Sequence, residues 1–302
     1  MINPDVLCVG EALVQVSPAH GERLADTHLA LVSVGGAEAN VAIGLARRGR
    51  ATAWAGHLGA DPLGDGIIAQ LEAAGVDVSL VERRSDAPTG VYFKDPDPKG
   101  SRPYYYRAGS AASRMDRAAA RTLAQHARPR VVHLSGISAV LSPSAADFVD
   151  AIVVDRVFDD TLVSFDVNYR SALATDRTPG ELARLARHAD IVFVGRDEAE
   201  TLWGTPRADD IRAHLGARGI LVVKDGDREA VAFTESERVT VPARAVSVVE
   251  PTGAGDAFAA GWLDAWLGRG SLESALAAGH ELAARALTTR HDVPVPHEEE
   301  AR

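Results

Sequence analysis

Runs of apolar residues with the length of a strand alternate with segments of helical periodicity through most of this 302-residue chain. Continuous apolar runs predict strands that are covered on both faces, and five such runs occupy residues 6–9, 131–134, 162–165, 191–194 and 220–223. Helical patterns occupy residues 39–48, 63–74, 144–157, 181–188, 198–203, 254–267 and 272–287. Because strands alternate with helices, the pattern predicts an α/β fold with a mainly parallel central sheet.

Two segments depart from this alternation. Residues 11–34 and 88–107 carry short, alternating or aromatic-rich strand patterns that are broken by Pro and Gly, with no helical pattern of their own. We therefore expect one domain over residues 1–302, in which these two segments form a small β-sheet lid inserted into the larger α/β body.

Charge and cysteine content narrow the class of protein. The chain has 32 Lys and Arg against 42 Asp and Glu, a net charge of −10, which disfavours binding to nucleic acid and to anionic membrane surfaces. Cys8 is the single cysteine, so an internal disulfide and cysteine-based zinc sites are excluded. No apolar stretch approaches 18 residues and the first five residues lack a signal-peptide pattern, so we expect a cytoplasmic protein without membrane or nucleic-acid partners.

The segment from Val246 to Phe258 carries the most specific chemistry. A strand-like run, residues 246–249, precedes a turn of small residues that opens an apolar helix, with Asp256 in its first turn. The free N–H groups of such a turn form a pocket for a phosphate or an oxyanion, and Asp256 beside it is placed to take a proton from a substrate hydroxyl. Asp256 is alternatively a favourable first-turn acid. A dinucleotide site, and with it a dehydrogenase, is disfavoured because Phe258 replaces the third glycine.

Two further segments present polar groups near small or aromatic residues. Paired glycines at 35 and 36 open a helix that carries Asn40 one turn later, which suits close approach of a hydroxylated ligand, although a plain turn explains it too. Tyr105 and Arg107 share one face of a predicted lid strand. An arginine there suits a planar carboxylate, and the alternative is packing of the lid.

These segments, in this order, resemble the ribokinase-like (PfkB) family of carbohydrate kinases. The resemblance covers the whole chain and includes Asp166-Val167-Asn168-Tyr169-Arg170 and Lys224-Asp225-Gly226. It implies a three-layer α/β/α sandwich with a β-sheet lid, ATP and Mg²⁺ as cofactors, and a homo-oligomer. It also implies that Asp256 is the catalytic base and that an anion hole is formed by Gly253, Ala254 and Gly255.

Within that family, the run from Tyr105 to Ala111 and the run from Gly10 to Leu13 resemble 2-keto-3-deoxygluconate kinases. The resemblance implies a sugar-acid site made by Gly36, Asn40, Tyr92, Tyr105, Arg107, Arg170, Asp256 and Asp292. In that site Arg107 and Arg170 clamp the substrate carboxylate. It implies a nucleotide site made by Asn168, Lys224, Gly226, Gly253, Gly255 and His280. Glu198 would organise magnesium through water.

The expected reaction is ATP-dependent phosphorylation of the terminal hydroxyl of 2-keto-3-deoxygluconate, which gives 2-keto-3-deoxy-6-phosphogluconate. Alternatives are a kinase for a neutral sugar of the fructose or ribose type, and a non-catalytic sugar or nucleotide sensor on the same fold. A sensor has no need of a base, so Asp256 argues against it. The chain departs from the family at Glu250, where Asp is usual, and at Gly195, where Asn is common; Glu250 leaves activation by a monovalent cation open.

Overall fold

The computed structural model describes residues 1–97 and 101–289. Its strands, numbered in chain order, are β1 (Val6–Val9), β2 (Leu13–Pro18), β3 (Ala30–Gly35), β4 (Thr52–Ala55), β5 (His57–Gly59), β6 (Glu82–Arg84), β7 (Val91–Asp95), β8 (Arg102–Tyr106), β9 (Val131–Ser135), β10 (Leu162–Asp166), β11 (Ile191–Gly195), β12 (Ile220–Asp225), β13 (Glu229–Phe233) and β14 (Arg238–Pro242). Its α-helices are α1 (Ala37–Ala46), α2 (Pro62–Ala73), α3 (Arg117–His126), α4 (Gly136–Val140), α5 (Pro143–Val153), α6 (Thr178–His188), α7 (Arg196–Trp203), α8 (Ala208–Leu215), α9 (Ala254–Leu267) and α10 (Leu272–Leu287).

Eight strands form the main sheet in the order β14-β13-β12-β11-β10-β9-β1-β4. The six strands from β12 to β4 run parallel, and β13 and β14 add an antiparallel edge. Parallel strands end at the same edge of a sheet, so Asp166, Gly195 and Lys224, at the ends of β10, β11 and β12, lie along one edge. Ligands of open α/β sheets bind outside this edge.

The main sheet is the middle of three layers. Along β1, Leu7 and Val9 join one apolar core together with Phe148 of α5. Cys8 joins the opposite core together with Trp262 of α9. Alternate side chains point to opposite faces of a strand, so both faces are covered, which is why β1 is apolar without interruption. The predicted α/β/α sandwich is confirmed.

A second sheet of four strands has the order β3-β2-β7-β8. It is antiparallel except for the parallel pair of β2 with β7. Its strands come from the two segments that depart from the α/β alternation, so the predicted small sheet is present. That it opens and closes as a lid stays a prediction.

The structure differs from the sequence-based expectation in one apolar run. Residues 246–249 are not a strand. The backbone N–H of Val249 donates to the carbonyl of Leu287 at the end of α10, at 2.7 Å, and the side chains of Val248 and Val249 are 59% and 54% exposed. The segment is therefore a connection that is held by a helix end, and its valines do not enter the core.

The structure also contains strands and helices that the sequence pattern did not predict. Strands β4, β13 and β14 and helices α3 and α8 carry too few large apolar residues to show a clear pattern; α3 buries only the small side chains of Ala120 and Ala124. None of the helices within residues 1–97 and 101–289 is long and apolar enough to cross a membrane.

Asp61 makes a contact that joins the second sheet to the sandwich. Its Oδ1 accepts from the backbone N–H of Gly64 and caps α2, while its Oδ2 accepts from the N–H of Thr89 just before β7, both at 2.8 Å. Asp116 is a matched comparison, since it caps α3 through the N–H of Ala119 alone, at 2.9 Å.

We expect Asp61→Ala to lower the free energy of unfolding by about 2 kcal/mol and Asp116→Ala by about 1 kcal/mol, because only Asp61 holds a second buried donor. Urea denaturation of both variants measures the difference. Equal losses would contradict the role of Asp61 between the two sheets.

Candidate active site

A cavity of about 930 Å³ lies between the strand-end edge of the main sheet, the second sheet and the start of α9. Fifteen of the residues predicted for the site line it: Gly36, Asn40, Tyr92, Tyr105, Arg107, Asn168, Arg170, Glu198, Lys224, Gly226, Gly253, Ala254, Gly255, Asp256 and His280. Asp292 lies outside the described residues. The fold thus brings together segments that are up to 244 positions apart in the chain, from Gly36 to His280.

Asp256 is buried at the centre of this cavity, with 6% of its surface exposed. Its Oδ2 accepts from Asn40 Nδ2 at 2.8 Å, and its Oδ1 accepts from Asn168 Nδ2 at 3.1 Å. Burial raises the pKa of Asp256 to about 7, against the opposing effects of the Asn40 bond and of the Arg170 charge. The carboxylate is oriented on both oxygens and is ionised above neutral pH, the state that a general base needs.

The start of α9 provides the turn beside Asp256. Gly253 caps the helix with φ +84°, a left-handed conformation that favours glycine. A side chain at Gly255 would place its Cβ 3.4 Å from Lys224 Nζ. The first N–H groups of a helix lack acceptors within it, so this turn offers donors and a lysine ammonium to an anion.

Three charged side chains form a cluster along the strand ends. Lys224 Nζ lies 2.8 Å from Asp166 Oδ2. Burial alone would lower the pKa of Lys224, but attraction to Asp166 and Glu198 outweighs it, so the pKa is raised. Burial raises the pKa of Glu198, partly against the charge of Lys224. The cluster therefore keeps Lys224 as a cation in the cavity.

The carboxylate of Glu198 is fixed by hydrogen bonds from backbone N–H groups. Its two oxygens accept from the N–H groups of Tyr169 and Gly195, at 2.8 and 2.7 Å. Within residues 1–97 and 101–289, no group of three His, Cys, Asp or Glu side chains is arranged to hold a metal. The donor set fits a Mg²⁺ that is bound mainly by phosphates and water, with one carboxylate behind the water.

The other end of the cavity holds a buried ion pair. Arg107 Nη2 contacts Glu11 Oε2, and both side chains are more than 90% buried. Ser110 Oγ donates to Glu11 Oε1 at 2.9 Å. Arg107 follows the end of β8, and its guanidinium lies 5.3 Å from the centre of the Tyr105 ring. Tyr105 in turn stacks on Tyr92 at 5.4 Å.

Gly36 is required by the backbone at this end. It has φ +122°, and a Cβ there would stand 2.3 Å from the carbonyl oxygen of Glu11. The close approach lets α1 begin directly against the chain after β1. This start places Asn40, one turn later, at Asp256.

Two predicted residues make contacts that bear on their assignments. Arg170 is exposed and its Nη1 donates to the carbonyl of Tyr169 at 3.1 Å. His280 is buried, its Nε2 lies 3.1 Å from the carbonyl oxygen of Val241, and its ring meets Phe258 edge-on at 5.2 Å. Arg170 therefore has the freedom to turn toward a ligand, whereas His280 is fixed in the wall.

Sequence reasoning assigned no role to two buried acids that line the cavity, Glu11 and Glu38. Glu38 is 1% exposed, and its Oε1 accepts three bonds, from the backbone N–H and Oγ of Ser135 and from Ser138 Oγ. Glu38 lies two positions after the paired glycines at 35 and 36. This closeness to a predicted ligand-binding turn could have marked it as a site residue. Its hydrogen-bond partners, Ser135 and Ser138, are 97 and 100 positions away in the chain, so these contacts cannot be predicted from the local sequence.

Glu250 links Ser101, just before β8, to Thr252 in the turn before α9. Its Oε2 accepts from Ser101 Oγ at 2.6 Å and its Oε1 from Thr252 Oγ1 at 2.7 Å. Burial would raise its pKa, but these bonds and the charge of Lys94 outweigh burial and lower it. Glu250 therefore stays ionised in a contact with Ser101 and Thr252, two residues that line the cavity.

Comparison with known proteins identifies the family of this chain. Residues 3–297 match the pfkB family carbohydrate kinase. The chain belongs to this family and is a sugar kinase. It is 34% identical to the 2-dehydro-3-deoxygluconokinase of Bacillus subtilis (strain 168), over 82% of this chain and 79% of that protein. It is 31% identical to Fructokinase-1 of Oryza sativa subsp. japonica, over 84% and 80%. The solved PfkB protein from Polaromonas sp. JS666 superposes with a TM-score of 0.83 at 32% identity, over 94% of this chain and 95% of that one.

The pH dependence of this kinase tests the environment of Asp256. We expect kcat/KM to fall as the pH drops below about 7, because the carboxylate becomes protonated. Asn40→Ala removes a donor that stabilises the ionised form, so the midpoint should move upward by up to about one pH unit. The exposed Asn3→Ala serves as control. A midpoint that does not move in Asn40→Ala would contradict the proposed titration of Asp256.

Proposed function

We propose that this kinase transfers the γ-phosphoryl group of ATP to the terminal hydroxyl of 2-keto-3-deoxygluconate or a close sugar acid. The observation that carries the proposal is the guanidinium of Arg107, which is buried in the wall of the cavity that contains Asp256. Its Nε has no hydrogen-bond acceptor among the residues the structure describes. A buried arginine donor without an acceptor suits a substrate carboxylate. The similarity to the Bacillus subtilis protein supports the same choice.

Asp256 acts as the general base in this proposal. Asn40 and Asn168 hold one oxygen each, so the remaining lone pairs face a substrate hydroxyl. As the hydroxyl oxygen forms its bond to the γ-phosphorus, its proton passes to Asp256, and ADP leaves with the electrons of the broken P–O bond. Asn168, expected at the nucleotide, would thus act at the meeting point of the two substrates.

Charge on the transferred group would be stabilised by the start of α9 and by Lys224. The N–H groups from Gly253 to Gly255 form the anion hole, and Asp166 holds the ammonium of Lys224 beside it. Bound Mg²⁺ would neutralise phosphate charge, and Glu198 would hold it through water. Gly226 and His280 would line the nucleotide end of the cavity.

The sugar end would be closed by the second sheet. Tyr92 and Tyr105 cover the cavity from this sheet, Gly36 lets the sugar approach the backbone, and Arg107 and Arg170 bind the carboxylate. Closure would exclude the water that otherwise hydrolyses ATP.

We also propose that the protein is a homo-oligomer. Val32 and Tyr106, on the edge strands β3 and β8 of the second sheet, are 59% and 69% exposed, and Leu29 just before β3 is 62% exposed. Exposed apolar groups at the edges of a sheet favour pairing with another chain. Light scattering after size-exclusion chromatography measures the assembly, and a monomer would contradict this proposal.

The role of Asp256 is tested by Asp256→Asn. We expect kcat to fall about 10³-fold, because the amide cannot take the proton, while the dissociation constant of the sugar changes little. A coupled ADP assay and calorimetric sugar binding measure the two quantities, with the exposed Asp176→Asn as control. Near-normal turnover in Asp256→Asn would refute the base, and absence of sugar-dependent ADP formation in the unmodified protein would favour the sensor.

The substrate class is tested with Arg107→Ala on 2-keto-3-deoxygluconate, gluconate, fructose and ribose. We expect KM for the acids to rise about 10- to 100-fold and KM for the neutral sugars to change little, because a charge-assisted hydrogen bond is lost only with an acid. Arg102→Ala is the matched control: Arg102 lies over Tyr104 at 5.2 Å, as Arg107 lies over Tyr105, but it is exposed. Equal effects of Arg107→Ala on acids and neutral sugars would favour a neutral-sugar kinase, the function of the rice relative's name.

A further inference from the structure

The ion pair of Glu11 and Arg107 joins the two sheets at the sugar end of the cavity. Glu11 follows β1 of the main sheet, and Arg107 follows β8 of the second sheet. Glu11 is 2% exposed and Arg107 is 7% exposed. Two charges at this depth are stable only while each has its partner, so Glu11 fixes where the guanidinium of Arg107 lies.

Neighbouring groups hold this pair in one geometry. Ser110 Oγ donates to Glu11 Oε1 at 2.9 Å, which leaves Oε2 for Arg107 Nη2. The ring of Tyr105 covers one face of the guanidinium. A Cβ at Gly90 would stand 2.5 Å from Leu13 Cδ2 and 3.1 Å from Glu11 Oε1, so glycine leaves room for both side chains. Glu11 therefore occupies one edge of the arginine fork, and Nε is left without an acceptor in the described chain.

The pair is neutral as a unit, and this matters for an acidic substrate. The charged groups that act on Glu11 are Arg107, which favours its ionised form, and Glu38, which disfavours it. A substrate carboxylate at Arg107 would add a second anion beside Glu11 in a poorly solvated place. The two carboxylates would then compete for one guanidinium.

We propose that Glu11 is a positioning and specificity-determining residue, which orients Arg107 for the substrate and weakens the binding of sugar acids relative to neutral sugars by competing for the guanidinium. This inference rests on the proposed sugar-acid function. It assigns to Glu11 an effect on the choice between substrates and no direct part in the transfer.

The inference has a pH signature that a purely structural role would not give. Burial raises the pKa of Glu11, and the charge of Arg107 and the bond from Ser110 reduce that rise. As the pH falls toward this pKa, Glu11 gains a proton and stops competing, so KM for the acid should fall relative to KM for a neutral sugar. Titration of Asp256 affects the reaction of both substrates, so its effect cancels in the ratio of KM for the acid to KM for the neutral sugar.

The test is Glu11→Gln, which keeps the shape and an acceptor oxygen for Arg107 but removes the charge. At about pH 8 we expect the ratio of KM for 2-keto-3-deoxygluconate to KM for fructose to fall about tenfold. In the unmodified enzyme the ratio should decrease as the pH is lowered, and in Glu11→Gln it should be flat. Glu82→Gln is the control. Glu82 pairs with Arg84 at 3.0 Å, and it does not line this cavity.

The unmodified enzyme's pH series needs no variant, so a Glu11→Gln protein that does not fold still leaves the inference testable. An unchanged ratio in Glu11→Gln, with Arg107→Ala still separating acids from neutral sugars, would overturn this inference alone. A ratio that is independent of pH in the unmodified enzyme would do the same. If Arg107→Ala affects acids and neutral sugars equally, both this inference and the proposed substrate fall.

Discussion

The buried carboxylate of Asp256 is the constraint on which the site depends. A carboxylate at this depth is costly unless donors satisfy it, and the donors come from distant parts of the chain, Asn40 in α1 and Asn168 after β10. For both amides to reach it, α1 and α9 must start at the same edge of the main sheet. Gly36 and Gly253, each with positive φ, make those starts possible. The two hydrogen bonds to Asp256 therefore depend on where α1 and α9 begin and on where β10 ends.

The buried cations of the cavity are also satisfied by partners from distant parts of the chain. The chain is acidic overall, with a net charge of −10, and two buried cations of the cavity are each paired with an acid. Lys224 pairs with Asp166 at one end of the cavity, and Arg107 pairs with Glu11 at the other. Paired in this way, the cations remain charged without ligand. In the proposed reaction they would meet an anion in a fixed position, which is the condition for electrostatic stabilisation of a transition state.

Much of this could be predicted from the order of residues. The five continuous apolar runs are all strands of the main sheet, because burial on both faces demands uninterrupted apolar residues. The bounds of α9 and α10 agree with their apolar periodicity. The valines at 246–249 misled the prediction because strand-like composition does not reveal exposure. The N–H of Val249 donates to the carbonyl of Leu287 at a helix end and not to a neighbouring strand.

By itself, the sequence determined the layer architecture, the family and the small residues around Asp256, because these follow from periodicity and from local motifs. Only the tertiary structure decided which groups share the cavity. That Arg107 is paired with Glu11, that Glu38 is buried against serines, and that Glu250 reaches Ser101 are contacts across 96, 97 to 100, and 149 positions. Such contacts are set by how strands and helices pack, and pairwise electrostatics between distant residues leaves no periodic signal in the chain.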